Sequence, residues 1–383
     1  MRALLLMVAA LCAATSAQAQ QGAAAFFIER IEIAEAERVS PQVIVYESRL
    51  AEGRAYTEQQ LREANDRLRR LPFILDATFA LQKGSERDRF ILVISVRETK
   101  PLFYLLDLVF FKKRSEAILV ESSNEAVLGA RFFTGPRGAF HFGFYAGEST
   151  RPFTRNFSTL QAGFTQYDVF GSGALVTVAV NQTLSPSHSK FLPEAVVALP
   201  LTSNQTLRVS YVETATPRLH ERVIESRWSY NTTNDPFFPT RGTVISAGPV
   251  ASYFDGVSLR PDRTETVVHN NALGIETEVK RYWELRGSAS LASEILVGLA
   301  DVDQRRDGVA SDFIQAYGEG VLRLSRPLST KTQSPSRLEL TFRAYATGSD
   351  RVTPDPNELM ELSVSWARRN AWGALRLGAG YAW

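Results

Sequence analysis

Apolar and polar residues alternate with a period of two through most of the chain after residue 137. Over 337–343, for example, leucine or phenylalanine occupies every second position, and charged or polar residues occupy the others. Because successive side chains of a β-strand point to opposite faces, each such stretch predicts a strand with one apolar and one polar face. The alternation lasts for the about 9 to 11 positions that a strand needs to cross a bilayer, and the segments recur more widely than in a soluble sandwich. The pattern therefore predicts a mostly β protein in which residues 137–383 form a transmembrane antiparallel β-barrel.

The number of barrel strands is less well defined than the barrel itself. Thirteen alternating segments can be placed within 137–383. Single-chain bacterial barrels have even strand numbers, so we expect 12 to 14 strands. The range 99–136 is interpreted as a linker, within which 126–133 is a possible extra strand.

The polar face of the predicted strands would line the lumen of the barrel. Its charged residues carry both signs at neighbouring strand positions, which favours a narrow lumen filled by paired charges. A water-filled pore lined by the same charges remains the alternative. The predicted lumen residues are Glu276, Glu278, Glu319, Arg323, Arg337, Glu339, Arg343, Glu361 and Arg376.

Residues 22–98 have a different pattern, which predicts a small α+β domain with the order β-α-α-β-β. Ser40 followed by Pro41 is typical of a helix start, and Thr57 with Gln60 forms a capping box for a second helix. Alternating stretches over 73–81 and 90–96 predict the last two strands.

The first 19 residues have the features of a secretory signal peptide. Arg2 precedes an apolar run, and Ala17 and Ala19 form a small-x-small cleavage pattern. The apolar run is shorter than the about 20 residues of a membrane-spanning helix, which disfavours an uncleaved anchor. The one cysteine of the chain, Cys12, lies inside this segment, so we expect no disulfide and no thiolate site in the mature protein.

Charge and chemistry argue against several functions. The chain has 43 Lys and Arg against 41 Asp and Glu, a net charge of +2, which lacks the basic field expected of a nucleic-acid-binding protein. The four histidines have no metal-ligand spacing. We therefore expect no enzymatic activity, no metal, no cofactor and no small-molecule substrate.

The segment 68–73, which leads from a helix into a strand before Asp76, resembles the corresponding passage of a POTRA domain, the periplasmic module of outer-membrane assembly and secretion proteins. Two later turns resemble turns of BamA/TamA-family barrels of the bacterial surface antigen type. Their matching residues are Asp168, Phe170, Gly171 and Gly173 in the first turn, and Asp235, Pro236, Phe238, Pro239 and Gly242 in the second. The signal with which many outer-membrane barrels end is matched by Arg376, Gly378, Tyr381 and Trp383.

This resemblance implies a barrel in the outer membrane of a Gram-negative bacterium, in contact with outer-membrane lipids, with the POTRA domain in the periplasm. It also implies that the protein assists the assembly, insertion or translocation of other outer-membrane or secreted proteins. Unfolded barrel clients would then add to a lateral seam between 138–147 and 374–383, and clients or periplasmic proteins would bind the POTRA edge strand. The residues predicted to form these pairing edges are Phe73, Leu75 and Phe79 in the POTRA domain and Phe140, Phe142 and Phe144 in the barrel.

A passive or structural barrel with a periplasmic docking domain is the alternative function. One departure from the family favours it. Insertases and secretion pores of the family carry a long sixth loop with a Val-Arg-Gly-Phe or similar motif, and the corresponding range here, 301–311, is short and lacks the motif.

Overall fold

The computed structural model describes residues 25–113, 125–147, 158–184, 191–216, 219–259, 265–286, 289–329, 335–349 and 358–382. The predicted signal peptide and Trp383 lie outside these residues. Where the structure is described, the chain forms an α+β domain followed by a closed β-barrel. The predicted mostly β fold with a small N-terminal α+β domain is thereby confirmed.

The N-terminal domain has four strands and two helices. They are β1 (Ala25–Ala34), α1 (Pro41–Ser48), β2 (Arg54–Thr57), α2 (Glu58–Arg69), β3 (Ile74–Lys83) and β4 (Arg89–Glu98). The strands form one sheet in the order β2-β1-β4-β3, with β1 parallel to β4. The helices cover one face of the sheet, and fully buried Ile28, Ile44, Leu68 and Ile94 form the centre of the core.

Both helices begin where the sequence predicts. The side chain of Ser40 accepts a hydrogen bond from the backbone N–H of Gln42 at 3.3 Å. Thr57 and Gln60 form the complete capping box of α2, each side chain accepting from the backbone N–H of the other residue. Such caps satisfy N–H groups that have no partner inside the helix.

The strand β2 corrects the predicted order β-α-α-β-β. Gly53 has a φ of 73°, a left-handed conformation that glycine adopts without a steric penalty. This residue reverses the chain, so that β2 pairs antiparallel with β1 before α2 begins. The run Arg54–Thr57 is too short to show an alternating pattern.

The barrel contains fifteen strands in the described part of the chain. They are β5 (Leu102–Lys113), β6 (Glu125–Thr134), β7 (Gly138–Gly147), β8 (Ser158–Val169), β9 (Ala174–Thr183), β10 (Phe191–Pro200), β11 (Gln205–Thr216), β12 (Leu219–Asn231), β13 (Gly242–Leu259), β14 (Glu265–Glu284), β15 (Ser290–Arg306), β16 (Val309–Ser329), β17 (Ser336–Ser349), β18 (Glu358–Asn370) and β19 (Gly373–Ala382).

The observed strand number corrects the expected range of 12 to 14. The segments from β7 to β19 are the thirteen that alternation predicts, and β6 corresponds to the possible extra strand. The additional strand is β5, which lies in the range interpreted as a linker. Its lumen-facing side includes Phe103, Val109 and Phe111, so both of its faces are largely apolar and the period of two is hidden.

Neighbouring strands of the barrel are antiparallel, except where the sheet closes. Because the strand number is odd, β19 and β5 run in the same direction and pair in parallel. Both strands start at the end of the barrel next to the N-terminal domain.

The outward and inward faces of the barrel differ as predicted. On β17, Leu340 is 45% exposed and faces outward, whereas Glu339 is 3% exposed and faces the lumen. The same alternation on β18 places Leu362 and Val364 outside and Glu361 inside. An apolar outer belt of this kind is typical of membrane-spanning barrels.

Neither α1 nor α2 has the length and apolar character required of a membrane-spanning helix, and the described residues contain no other helix.

Candidate functional site

The N-terminal domain docks on the barrel rim through hydrogen bonds to several turns. The hydroxyl of Tyr46 donates to the backbone oxygen of Gly173 at 2.6 Å, and the guanidinium of Arg70 donates to that of Thr233 at 2.7 Å. The guanidinium of Arg49 donates to the backbone oxygen of Thr202. These turns follow β8, β12 and β10, so the domain contacts the rim at widely separated points.

Aromatic packing joins the two domains at another point of the rim. The ring of Phe73 lies edge to face against those of Phe133, at 5.0 Å between centroids, and Tyr167, at 6.4 Å. Phe73 is 6% exposed and Leu75 is 8% exposed. These two residues, which were predicted to pair with clients, are therefore buried here.

The strand that carries these residues nevertheless lies at a sheet edge. β3 is the last strand in the order β2-β1-β4-β3, as predicted for the client-binding edge. The third predicted residue, Phe79, is partly buried and packs against the domain core. Client binding at this edge stays a prediction, and it would use backbone groups rather than the side chains of Phe73 and Leu75.

The turn over 168–173 is shaped by left-handed backbone conformations. Asp168, Phe170, Gly171 and Gly173 all have φ between 50° and 73°. The carboxylate of Asp168 accepts from the N–H of Gly173 at 2.9 Å and pairs with Arg137 at 2.7 Å, which fixes the turn across the rim. Phe170 is fully exposed at its tip.

The turn over 234–242 is closed by its own side chains. The carboxylate of Asp235 accepts from the N–H groups of Phe237 and Phe238 at 2.8 and 2.7 Å. Phe238 is buried and lies beneath the guanidinium of Arg337 at 5.2 Å. Pro236 and Pro239 flank this pair of rings, where no ladder hydrogen bond is required of their nitrogen atoms. Gly242 has a φ of 111°, and a Cβ there would lie 2.4 Å from the oxygen of Thr232.

Arg369 connects this turn to the N-terminal domain. It is 3% exposed, and its guanidinium pairs with Asp235 at 2.9 Å and donates to the backbone oxygen of Ile74 at 2.8 Å. The same group lies over the ring of Phe237 at 4.8 Å. Sequence analysis missed Arg369, because alternation places it on the lumen face and cannot identify a partner in another domain. We call Arg369, Asp235 and Ile74 the rim clamp.

Charged groups of the docked helices have shifted pKa values. Burial raises the pKa of the Glu47 carboxyl to about 7, against the opposing effect of Arg49 and Arg67. Burial lowers the pKa values of Arg67 and Arg70 to about 10. Burial also raises the pKa of Asp66, which forms an ion pair with Arg241 of the barrel at 3.5 Å. The docking interface thus removes several charges from bulk water.

The lumen contains a chain of ion pairs that extends along the wall from β12 to β5. Arg343 contacts Glu319 at 2.8 Å and Glu361 at 3.5 Å, and Arg323 contacts Glu294 at 3.4 Å. Further pairs on either side lie within one strand or join strands up to two apart. They are Arg227 with Glu225 and Glu276, Lys280 with Glu278 and Glu294, and Arg376 with Glu339 and Asp107. This arrangement confirms that the lumen charges are paired, while the filling of the lumen by them stays a prediction.

The seam of the barrel is formed by β19 and β5. Their registered pairs run from Gly373 with Tyr104 at one end to Ala382 with Lys113 at the other. The predicted seam was wrong, because β5 and β6 lie between β19 and β7. β7 pairs on both sides, with β6 and β8, and its residues Phe140, Phe142 and Phe144 face outward in the interior of the sheet. They form no free edge.

Two glycines of the predicted C-terminal signal region make room for neighbours on the strands that flank β19, which are β18 and β5. A Cβ on Gly378 would lie 2.6 Å from that of Ser365, and a Cβ on Gly380 would lie 2.6 Å from the ring of Phe111. Arg376 bridges the seam by pairing with Asp107 on β5 and, at 2.8 Å, with Glu339 on β17. Tyr381 faces outward and is 40% exposed.

A small cavity of about 180 Å³ borders the seam on its lumen side. Asp107, Phe111 and Arg376 line it from the seam, and Arg323 and Arg343 line it from the nearby strands β16 and β17. Oδ1 of Asp107 and Nε of Arg323 are buried and have no hydrogen-bond partner among the described residues.

The range 301–311, at which sequence analysis placed the counterpart of the long sixth loop, is a tight hairpin in the structure. β15 ends at Arg306 and β16 begins at Val309, so only Asp307 and Gly308 connect them. Both residues have positive φ, 51° and 82°, as in the primed turns that favour hairpins. This hairpin sends no segment into the lumen.

The family model described as POTRA, surface antigen variable number repeat, matches residues 26–99. This match confirms the predicted POTRA domain. Comparison with the curated proteins finds no match. Similar solved structures include BamA from Haemophilus ducreyi lacking POTRA domains 1–3, with 10% sequence identity, a TM-score of 0.38, and coverage of 89% of this chain and 81% of that chain. A TM-score below 0.5 does not establish a common fold, so the barrel is assigned from its own strand pairing.

Proposed function

We propose that the protein assists the assembly or translocation of other outer-membrane or secreted proteins, and that client strands add at the seam between β19 and β5. The barrel would lie in the outer membrane of a Gram-negative bacterium with its POTRA domain in the periplasm. A POTRA domain and a barrel with an apolar outer belt are the features that favour this location.

The position of the POTRA domain on the rim is the observation that carries the proposal. The domain contacts turns that lie far apart on the rim, and ion pairs run along the lumen wall from β12 to β5. A domain that spans the end of the barrel in this way disfavours a free aqueous path, which a passive pore needs. A barrel that acts on other chains can instead use its wall, where strand edges form backbone hydrogen bonds with an added strand.

The seam is the part of the wall best suited to open. Parallel pairing is slightly less stable per residue than antiparallel pairing, and β19–β5 is the parallel pair in the described barrel. Gly380 has no side chain to pack against β5 and faces the ring of Phe111, and Arg376 pairs with Asp107 across the seam. The tight hairpin at 307–308 lacks the family's inward loop, so an opening seam would have to act without it.

A disulfide across the seam tests the proposal. Leu108 and Leu377 are registered partners that face outward, and neighbouring strands bring Cα atoms within the range that a disulfide spans. We expect Leu108→Cys with Leu377→Cys, in a Cys12→Ser background, to abolish assembly activity when oxidised and to restore it on reduction. Activity is measured as the amount of folded outer-membrane barrels in cells that have been depleted of the wild-type protein.

A second disulfide provides the matched control. Ala251 and Leu273 are registered, outward-facing partners on β13 and β14, in the opposite wall. Cross-linking them should leave assembly intact. If the seam-locked protein replaces the wild type as fully as this control does, the passive-barrel alternative takes the place of the proposed function.

A further inference from the structure

The odd strand number determines what kind of strand the seam can accept. β19 and β5 run in the same direction, away from the POTRA domain. A single strand placed between them and running toward the POTRA domain is antiparallel to both. Its N–H and C=O groups can then form regular antiparallel ladders on both sides, and the parallel contact disappears. A seam between two antiparallel strands would leave an added strand parallel to one of them.

From this topology we infer that the seam takes up one client strand at a time between β19 and β5, running toward the POTRA domain and carrying a cationic side chain into the lumen cavity beside Asp107. This inference rests on the proposed function and adds to it the direction, the number and the chemistry of the added strand. An odd number of added strands satisfies the same rule, whereas an even number restores a parallel contact.

The lumen cavity supplies the chemical part of the inference. Insertion of a strand separates Asp107 from Arg376 by one further strand spacing, about 4.8 Å. Arg376 retains Glu339 at 2.8 Å, but Asp107 loses its guanidinium and already has Oδ1 buried without a hydrogen-bond partner among the described residues. The charged residues that line the cavity are four carboxylates and three guanidiniums. A lysine or arginine of the added strand would balance them.

The outer face of the added strand must be apolar. The outward neighbours on the seam are Leu106 and Leu108 on β5, and Leu375 and Leu377 on β19. The inward neighbours include Gly378 and Gly380, which have no side chain to oppose a large residue on the added strand. The expected client strand therefore alternates apolar and polar residues, with its lumen-facing cation level with Asp107.

Cross-linking to synthetic peptides tests the direction. The probes are ten-residue peptides that alternate leucine with serine or threonine, carry one inward lysine, and place a single cysteine at successive outward positions. The full chain in lipid vesicles carries one cysteine in a Cys12→Ser background, at Leu108, Leu377, Leu106 or Leu375. We expect the same peptide to cross-link at Leu108→Cys and at Leu377→Cys. Moving the protein cysteine to 106 or 375 should shift the preferred peptide position toward the peptide's C-terminus at both edges.

The cation is tested with the same peptides. Replacing the inward lysine by methionine should reduce cross-linking about tenfold, the size expected for loss of a charge-assisted hydrogen bond. Asp107→Asn should remove that preference. The matched control is Glu194→Gln, an inward carboxylate on β10 that binds Gln161 and Asn181, and it should keep the preference.

The outcomes separate this inference from the proposed function. Three results would each overturn the single-strand inference. They are cross-linking at only one of positions 108 and 377, a shift toward the peptide N-terminus, and cross-links between two copies of the chain in place of peptide cross-links. If the seam disulfide still abolishes assembly in those cases, the proposed function stands without it. Equal cross-linking of lysine and methionine peptides would overturn the cationic part.

Discussion

The rim clamp gives the most direct test of how the POTRA domain is held on the barrel. Arg369→Ala removes one partner of a buried ion pair, a change that costs about 3 to 5 kcal/mol when the remaining charge has no other partner. Asp235 keeps the N–H groups of Phe237 and Phe238, so its charge stays partly compensated. We therefore expect the lower end, about 3 kcal/mol, lost from the stability of the clamped turn; the hydrogen bond from Arg369 to Ile74 is the part of this loss that crosses to the POTRA domain.

Amide hydrogen exchange measures this loss. The amides of Phe237 and Phe238 donate to Asp235 of the rim clamp, so their exchange reports its opening. A loss of about 3 kcal/mol corresponds to exchange faster by roughly 100-fold, since each 1.4 kcal/mol is tenfold. Arg369→Lys keeps the charge but cannot reach Asp235 and Ile74 in the same forked geometry, so an intermediate increase is expected.

The neighbouring arginine is the matched control. Arg368 is exposed on the outward face of β18, and Arg368→Ala should change exchange at the turn by less than threefold, as for ordinary surface substitutions of about 0.5 kcal/mol. A double-mutant cycle between Arg369→Ala and Asp235→Asn should give a coupling energy of about 1 to 3 kcal/mol. Exchange after Arg369→Ala that matches the Arg368→Ala control would refute the clamp.

Three further predictions concern the belt, the docking interface and a turn. Leu340→Arg should destabilise the barrel by about 2 to 4 kcal/mol if Leu340 lies near the midplane of the bilayer, as measured by urea titration of the folded barrel. Leu328→Arg, near the end of its strand, should cost about 1 kcal/mol or less. Equal costs would contradict the assignment of the apolar belt. The pKa of Glu47 is raised to about 7, so the docked state binds more protons than the separated state, and docking weakens as pH rises from about 4.5 to about 7. Glu47→Gln should remove this pH dependence, which is measured by amide hydrogen exchange at α1 over a series of pH values. An unchanged profile would exclude Glu47 as its source. Gly242→Ala should lower stability by about 2 kcal/mol or more because of its positive φ and the oxygen of Thr232, while Gly348→Ala, with no neighbour within 4 Å, should have little effect in the same thermal melts.

Alternation predicted those parts of the fold in which one strand face contacts lipid and the other contacts polar groups. It failed at β5, where Phe103, Val109 and Phe111 pack inside the lumen. Because 126–133 was counted only as a possible extra strand, the predicted seam lay at β7 and not at β5. Turn chemistry predicted the turns over 168–173 and 234–242, because glycine and proline leave a local signal. The rim clamp and the Arg376–Asp107 pair join residues far apart in the chain, and the pattern around each residue is that of any lumen charge.

The closing contact also sets the order in which the barrel can fold. β5 must find β19 across the whole intervening barrel sequence, whereas each other strand pairs with its neighbour in the chain. Contacts of such long sequence separation form late, because the entropy of loop closure has to be overcome before they stabilise anything. Until this contact forms, the sheet is therefore an open, curved ribbon with two unpaired borders. Its exposure to aggregation ends only when the final strand arrives.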